Sequence, residues 1–170
     1  MTTTNIGGWW GGWIWQTPGG TNLLNGNLNG IRCGAFFLPF TAQIEKMQVN
    51  VGVLSSGGHG DVGYYNASTL ALVAHTGALS TTSTGVQTST MTAVTLNPGE
   101  YYECYTFDNT SAAFSGWISP AGPAQGFFSN NNLVFFTAGN SGSGGMLPST
   151  LTLGTANNQN VGFAEVWNIP

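Results

Sequence analysis

Residues 45–54 read EKMQVNVGVL, and within them Met47, Val49, Val51 and Val53 alternate with Gln48, Asn50 and Gly52. A period of two is that of a β-strand with one face against a core and the other toward solvent. Upstream, IRCGAFFLPF (31–40) is a denser apolar run in which Pro39 marks an edge position or the end of a strand. Downstream, SSGGHG breaks the pattern, GDVGYYN resumes it, and LALVAH (70–75) is another apolar stretch bounded by turn residues.

TMTAVTL leads into Asn97-Pro98-Gly99-Glu100, a turn signal with Pro second and Gly third, after which YYECYTF reads as the partner strand. Further strand candidates are AFSGWIS (113–119), GFF (126–128), LVFFTAG (133–139), MLPSTLTL (146–153) and VGFAEVWNI (161–169). Short apolar segments at regular intervals between turn signals predict two packed sheets. The expected fold is all-β: a jelly-roll-like antiparallel β-sandwich over residues 31–170, with an extended N-terminal arm over residues 1–30.

Composition agrees. The chain holds 26 Gly and 7 Pro among long tracts of Ser, Thr and Asn, and it has few of the Lys, Glu, Arg and Gln that fill helix surfaces. Its 170 residues suffice for one domain with a real core. Charged residues make up 5% and the net charge is −4, against roughly 25–35% on ordinary soluble surfaces. Such a surface must be covered with hydroxyls, amides and glycine, or with other protein. Two cations far apart cannot form a phosphate-binding face, so nucleic acid is not an expected partner. No apolar run reaches the ~18 residues of a spanning helix, and the N-terminus has neither the basic region nor the cleavage site of a signal peptide.

The arm carries the most unusual stretch. IGGWWGGWIWQTPGG (6–20) places Trp9, Trp10, Trp13 and Trp15, with Ile14, among glycines and without a charge. Each indole can bury up to ~250 Å², so four provide on the order of 10–20 kcal/mol of gross burial for docking onto another surface. TNLLNGNLNG follows, and its two Asn-Gly pairs favour tight bends with positive φ.

No catalytic constellation is expected. Glu100 and Glu103 are the only close carboxylate pair, and a spacing of three puts them on opposite faces of a strand. Ser55, His59 and Asp61 supply the types of a hydrolytic triad, but no nucleophile elbow positions them, and His75 stands alone in LVAHTG. Asp61 and Asp108 stand isolated, which gives no calcium loop. Neither a metal nor a cofactor is expected. Cys33 and Cys104, 71 positions apart, match no zinc or redox spacing and read as two buried small hydrophobes, with a disulfide as the alternative. Tyr102 precedes Cys104 by two residues as in the tyrosine corner of immunoglobulin domains, but no Trp follows Cys33 until Trp117.

From Ala35 to Thr106 the chain resembles a β-sandwich module of tailed-bacteriophage virion proteins, of the tail-fibre and surface-decoration type. The stretches that carry the likeness are the alternating strand Met47–Val53, Gly63-Tyr64-Tyr65-Asn66, LVAHTGALSTTSTGVQT with Thr84-Gly85-Val86, and Leu96-Asn97-Pro98-Gly99-Glu100-Tyr101. The resemblance implies a non-enzymatic structural protein of the virion, a capsid-decoration, head-fibre or tail-fibre subunit assembled in the host cytoplasm. Its expected partners are itself, as a homotrimer, and other virion proteins, with Trp9, Trp10, Trp13, Ile14 and Trp15 as the anchor. The alternative expectation is a carbohydrate-binding adhesin that stacks a host-surface glycan on exposed aromatics, with Tyr64, Tyr65 and Trp117 as candidates beside the arm. Trp117 and Trp167 lie in alternating strand patterns, which equally suits core packing.

Overall fold

A computed structural model describes residues 5–7, 22–117, 135–156, 162–163 and 166–168. The strands in chain order are β1 (Asn5–Gly7), β2 (Asn22–Asn25), β3 (Gly30–Leu38), β4 (Ala42–Val53), β5 (His59–Asn66), β6 (Leu72–His75) and β7 (Leu79–Ser80). They continue with β8 (Gly85–Leu96), β9 (Gly99–Phe107), β10 (Ala113–Trp117), β11 (Phe135–Ser141), β12 (Thr155–Ala156), β13 (Gly162–Phe163) and β14 (Val166–Asn168).

Two antiparallel sheets pack face to face, as the alternating patterns predict. One runs β13-β10-β4-β8, with β2 also on β10; the other runs β12-β11-β3-β9-β5-β6, with β7 also on β5. The chain crosses between sheets at β2–β3, β3–β4, β4–β5, β7–β8, β8–β9, β9–β10, β10–β11 and β12–β13, which gives the jelly-roll-like winding. Part of the Asn-rich block lies in the sandwich: β2 pairs with β10, and Leu24 is buried in the core between the sheets. Asn29 has φ 57°, as its Asn-Gly sequence favours, and Gly30 N–H closes the bend on the carbonyl of Asn27. At the far end β1 pairs with β14.

Strand β4 keeps one face on the core. Met47, Val49 and Val51 are buried, as are Ala42 and Ile44. The inward phase shifts by one residue at Glu45–Lys46, where the register with β8 also shifts.

The seven-stranded sheet differs, because both of its faces are covered. On β9, Tyr101, Tyr105 and Phe107 enter the inter-sheet core, while Tyr102 and Cys104 join a second cluster on the outer face. That cluster is closed by Phe136 of β11 and by Leu147 and Leu151 of an irregular segment. MLPSTLTL is therefore not a strand. Its backbone bonds sideways instead: Leu72 N–H donates to Ser149 O at 2.9 Å, and Leu151 N–H donates to Leu70 O at 2.8 Å.

Two further expectations are corrected. Asn97-Pro98-Gly99 does not join paired strands, since β8 ends on β4 (Leu96 opposite Ala42) and β9 begins on β3 (Gly99 opposite Leu38). The turn carries the chain from one sheet to the other, and Tyr101 Oη secures it by donating to Asn97 O at 2.8 Å. Cys33 and Cys104 face each other on β3 and β9 and form a disulfide with a Cα separation of 4.1 Å. The bond lies within one sheet, unlike the inter-sheet bridge of an immunoglobulin domain. The segment GFF (126–128) lies outside the described residues.

Candidate functional site

Two histidine–carboxylate pairs are built on β5 and are the densest polar chemistry among the described residues. His59 and Asp61 are two apart, so both side chains project from the outer face of the seven-stranded sheet. They do not bond each other. His59 Nδ1 lies 3.1 Å from Asp108 Oδ2, while Asp108 Oδ1 accepts the His59 N–H and Asn109 Nδ2, each at 2.8 Å. Asp61 faces His75 Nδ1 at 2.8 Å, and its carboxylate also accepts Thr76 Oγ1 at 2.8 Å and the Leu147 N–H at 2.9 Å. A carboxylate can only accept, so in each pair Nδ1 carries the proton.

Burial separates the two pairs. Asp61 has no exposed surface, whereas the His75 side chain is 37% exposed and that of His59 is 44% exposed. A buried carboxylate persists only when its lone pairs are filled, and Asp61 meets this with one donor from β6, one from the residue after it, and one from the segment across the sheet. The hydrogen bond from His75 to Asp61 raises the imidazole above its ordinary value, partly offset by burial. Burial alone would raise Asp108, but the bonds from Asn109 and His59 outweigh it and hold the carboxyl below the usual range. Burial, with the nearby Asp61 charge, pushes the Tyr65 phenol well up.

The Ser55, His59, Asp61 combination does not assemble, because Asp61 is taken by His75 and His59 by Asp108. Among the described residues neither imidazole is hydrogen-bonded to a hydroxyl. Among the same residues no group of three or more His, Cys, Asp or Glu could hold a metal ion. The pairs fasten strands: Asp61 ties β5 to β6 and to the 142–154 segment, and Asp108 ties the end of β9 to the start of β5.

The candidate stacking residues separate. Tyr64 and Tyr65 are 1% and 0% exposed, so neither offers a ring face to a sugar. Tyr64 packs between the sheets, and Tyr65 sits in the outer cluster with its Oη donating to Pro148 O at 2.7 Å. Trp117 ends β10 opposite Gly162, and its ring lies outside what is described. Trp9, Trp10, Trp13, Ile14 and Trp15 also lie outside the described residues.

The outward face of the five-stranded sheet is a ladder of amides and hydroxyls. Gln48 Nε2 donates to Thr88 Oγ1 at 3.0 Å and Asn50 Nδ2 to Ser115 Oγ at 3.2 Å, beside exposed Leu23 and Val86. This is the covering that so low a charge content demands. Sequence reasoning missed the Asp61–His75 pair. The available signal was a carboxylate in mid-strand within GDVGYYN, among residues that are otherwise apolar or glycine, since a charge there requires partners.

Comparison with protein-family models, with curated proteins and with solved structures gives no match.

Proposed function

We propose that this chain is a non-catalytic structural subunit of a tailed-phage virion, of the capsid-decoration, head-fibre or tail-fibre kind, assembled in the host cytoplasm. In this reading the N-terminal arm, with Trp9, Trp10, Trp13, Ile14 and Trp15, anchors the chain to other virion proteins. The observation that carries it is the place of Ala35–Thr106, the stretch that resembles phage virion modules. That stretch runs from β3 to β9 and supplies the adjacent strands β4 and β8 of one sheet and β3, β9, β5 and β6 of the other. Two features support a structural role. The described histidines are engaged in fastening strands, and the open face of the five-stranded sheet presents neutral hydroxyls and amides suited to contact with other protein.

The test is incorporation into particles. Deleting residues 8–20 spares the β1–β14 pair, so the shortened chain should fold, with an unchanged far-ultraviolet spectrum, and fail to join the particle. Unchanged incorporation would overturn the reading. The adhesin alternative loses Tyr64 and Tyr65 to the core, and a glycan array on the intact chain should stay silent.

A further inference from the structure

Strand β8 closes one side of the five-stranded sheet, and among the described residues its only backbone neighbour is β4. Among the described residues, one edge of a twelve-residue strand therefore has no strand beside it. Natural sheets guard such edges with Lys, Pro or inward charges. Strand β8 has none of these, and no charged residue occurs anywhere from Thr76 to Gly99. Its register shift lies opposite Ile44–Lys46, and Gly85–Thr90 stay in one register with Val51–Lys46. Met91 and Val94 pack against the inter-sheet core yet are only partly buried, so apolar surface remains uncovered along this edge.

We propose that β8 is the contact between two copies of this chain, pairing antiparallel with β8 of a second copy about a two-fold axis at Thr88. Self-complementarity selects a second copy over a foreign strand. With the axis at Thr88, that residue meets Thr88 of the second copy, Val86 meets Thr90, and Gln87 meets Ser89. β-branched and hydroxyl pairs of this kind stabilise antiparallel neighbours. The chain carries a net charge of −4, yet here no like charges come opposite one another, so this edge approaches its copy without the repulsion that like charges would impose. A two-fold contact uses the same patch on both copies and closes without an open end. It differs from the homotrimer expected above, and it does not depend on which particle the chain serves.

Sedimentation equilibrium on the full chain, on Thr88→Lys, on Thr88→Glu and on an equimolar mixture of the two variants tests the contact. The full chain should be a dimer that dissociates on dilution. Each variant should be monomeric, because it sets like charges face to face at the axis, and the mixture should restore the dimer by setting Lys against Glu. A monomeric or trimeric full chain, a dimer that survives in both variants, or a mixture that stays monomeric would overturn the proposal. Should either variant fail to fold, amide exchange on the unsubstituted chain decides. Exchange over Gly85–Thr90 that slows as protein concentration rises supports the contact, and concentration-independent exchange overturns it. Failure here leaves the arm reading untouched, since deletion of residues 8–20 reports on particle attachment and Thr88 on self-association.

Discussion

Asp61 is a carboxylate held in mid-strand by three donors. It is wholly buried and accepts from His75, Thr76 and the Leu147 backbone. In Asp61→Asn an amide replaces one acceptor oxygen, so at least one of these donors meets an N–H in place of a lone pair. At roughly 1.5–3 kcal/mol per hydrogen bond to a charged group, urea denaturation should show a loss of about 3 kcal/mol. The pH dependence follows from the two pairs with opposite signs. His75 is raised above 6.5, so the stability it contributes is full below that value and is lost as pH rises through its folded pKa. Asp108 is lowered below 3.8, so its contribution is present above that value and is lost as pH falls through its folded pKa. The urea midpoint should therefore fall on both sides of a mildly acidic plateau. His75→Gln should flatten the alkaline limb alone, and Asp108→Asn the acid limb alone.

Among the elements, the segment between β11 and β12 shows where sequence patterning stops. Strand β4 was legible because one face meets the core and the other meets solvent, so burial is written as alternation. Strands β5 and β9 were legible only as extended runs, since a sheet covered on both faces buries odd and even residues alike. MLPSTLTL has the composition of a strand, yet its leucines serve as plugs on the outer face, with Leu147 and Leu151 in the second cluster and the backbone held by Asp61, Leu70 and Leu72. Those partners are distant in sequence, so no local period announces them. The candidate site was illegible for the same reason: the acceptors of His59 and His75 were visible as residues but not as neighbours. Gly145 fixes how closely the segment approaches β5. Its φ is +72°, and an added Cβ would lie 2.8 Å from His59 Cβ and 2.9 Å from its carbonyl carbon. Gly145→Ala should cost about 1–3 kcal/mol from backbone conformation alone, and the Leu147 and Leu151 amides should exchange faster together in a hydrogen-exchange measurement while the β4 amides keep their protection.

Among the described residues, beside the β1–β14 pair, three layers stack: the five-stranded sheet, the seven-stranded sheet, and the irregular segment on the latter's outer face. The disulfide sits in the outer cluster with Ile31, Tyr65 and Phe136, and neither cysteine is exposed. It joins positions 71 residues apart, and closing a loop of that length in the unfolded chain is worth about 4 kcal/mol in the chain-entropy account. The inter-sheet core does not include the pair, so its loss leaves the packing of sheet on sheet in place. The double variant Cys33→Ala, Cys104→Ala should thus fold to the same β spectrum with a urea midpoint lowered by the equivalent of about 4 kcal/mol. Reduction of the unsubstituted protein tests the burial directly. A thiol must reach sulfur, and here it must first lift the segment carrying Leu147 and Leu151 or open the sheet. Under native conditions the rate of reduction should level off as dithiothreitol is increased, at the rate of that opening, and it should rise with Gly145→Ala. A rate that keeps climbing in proportion to reductant and ignores Gly145→Ala would show that the bond is reached without displacing the third layer.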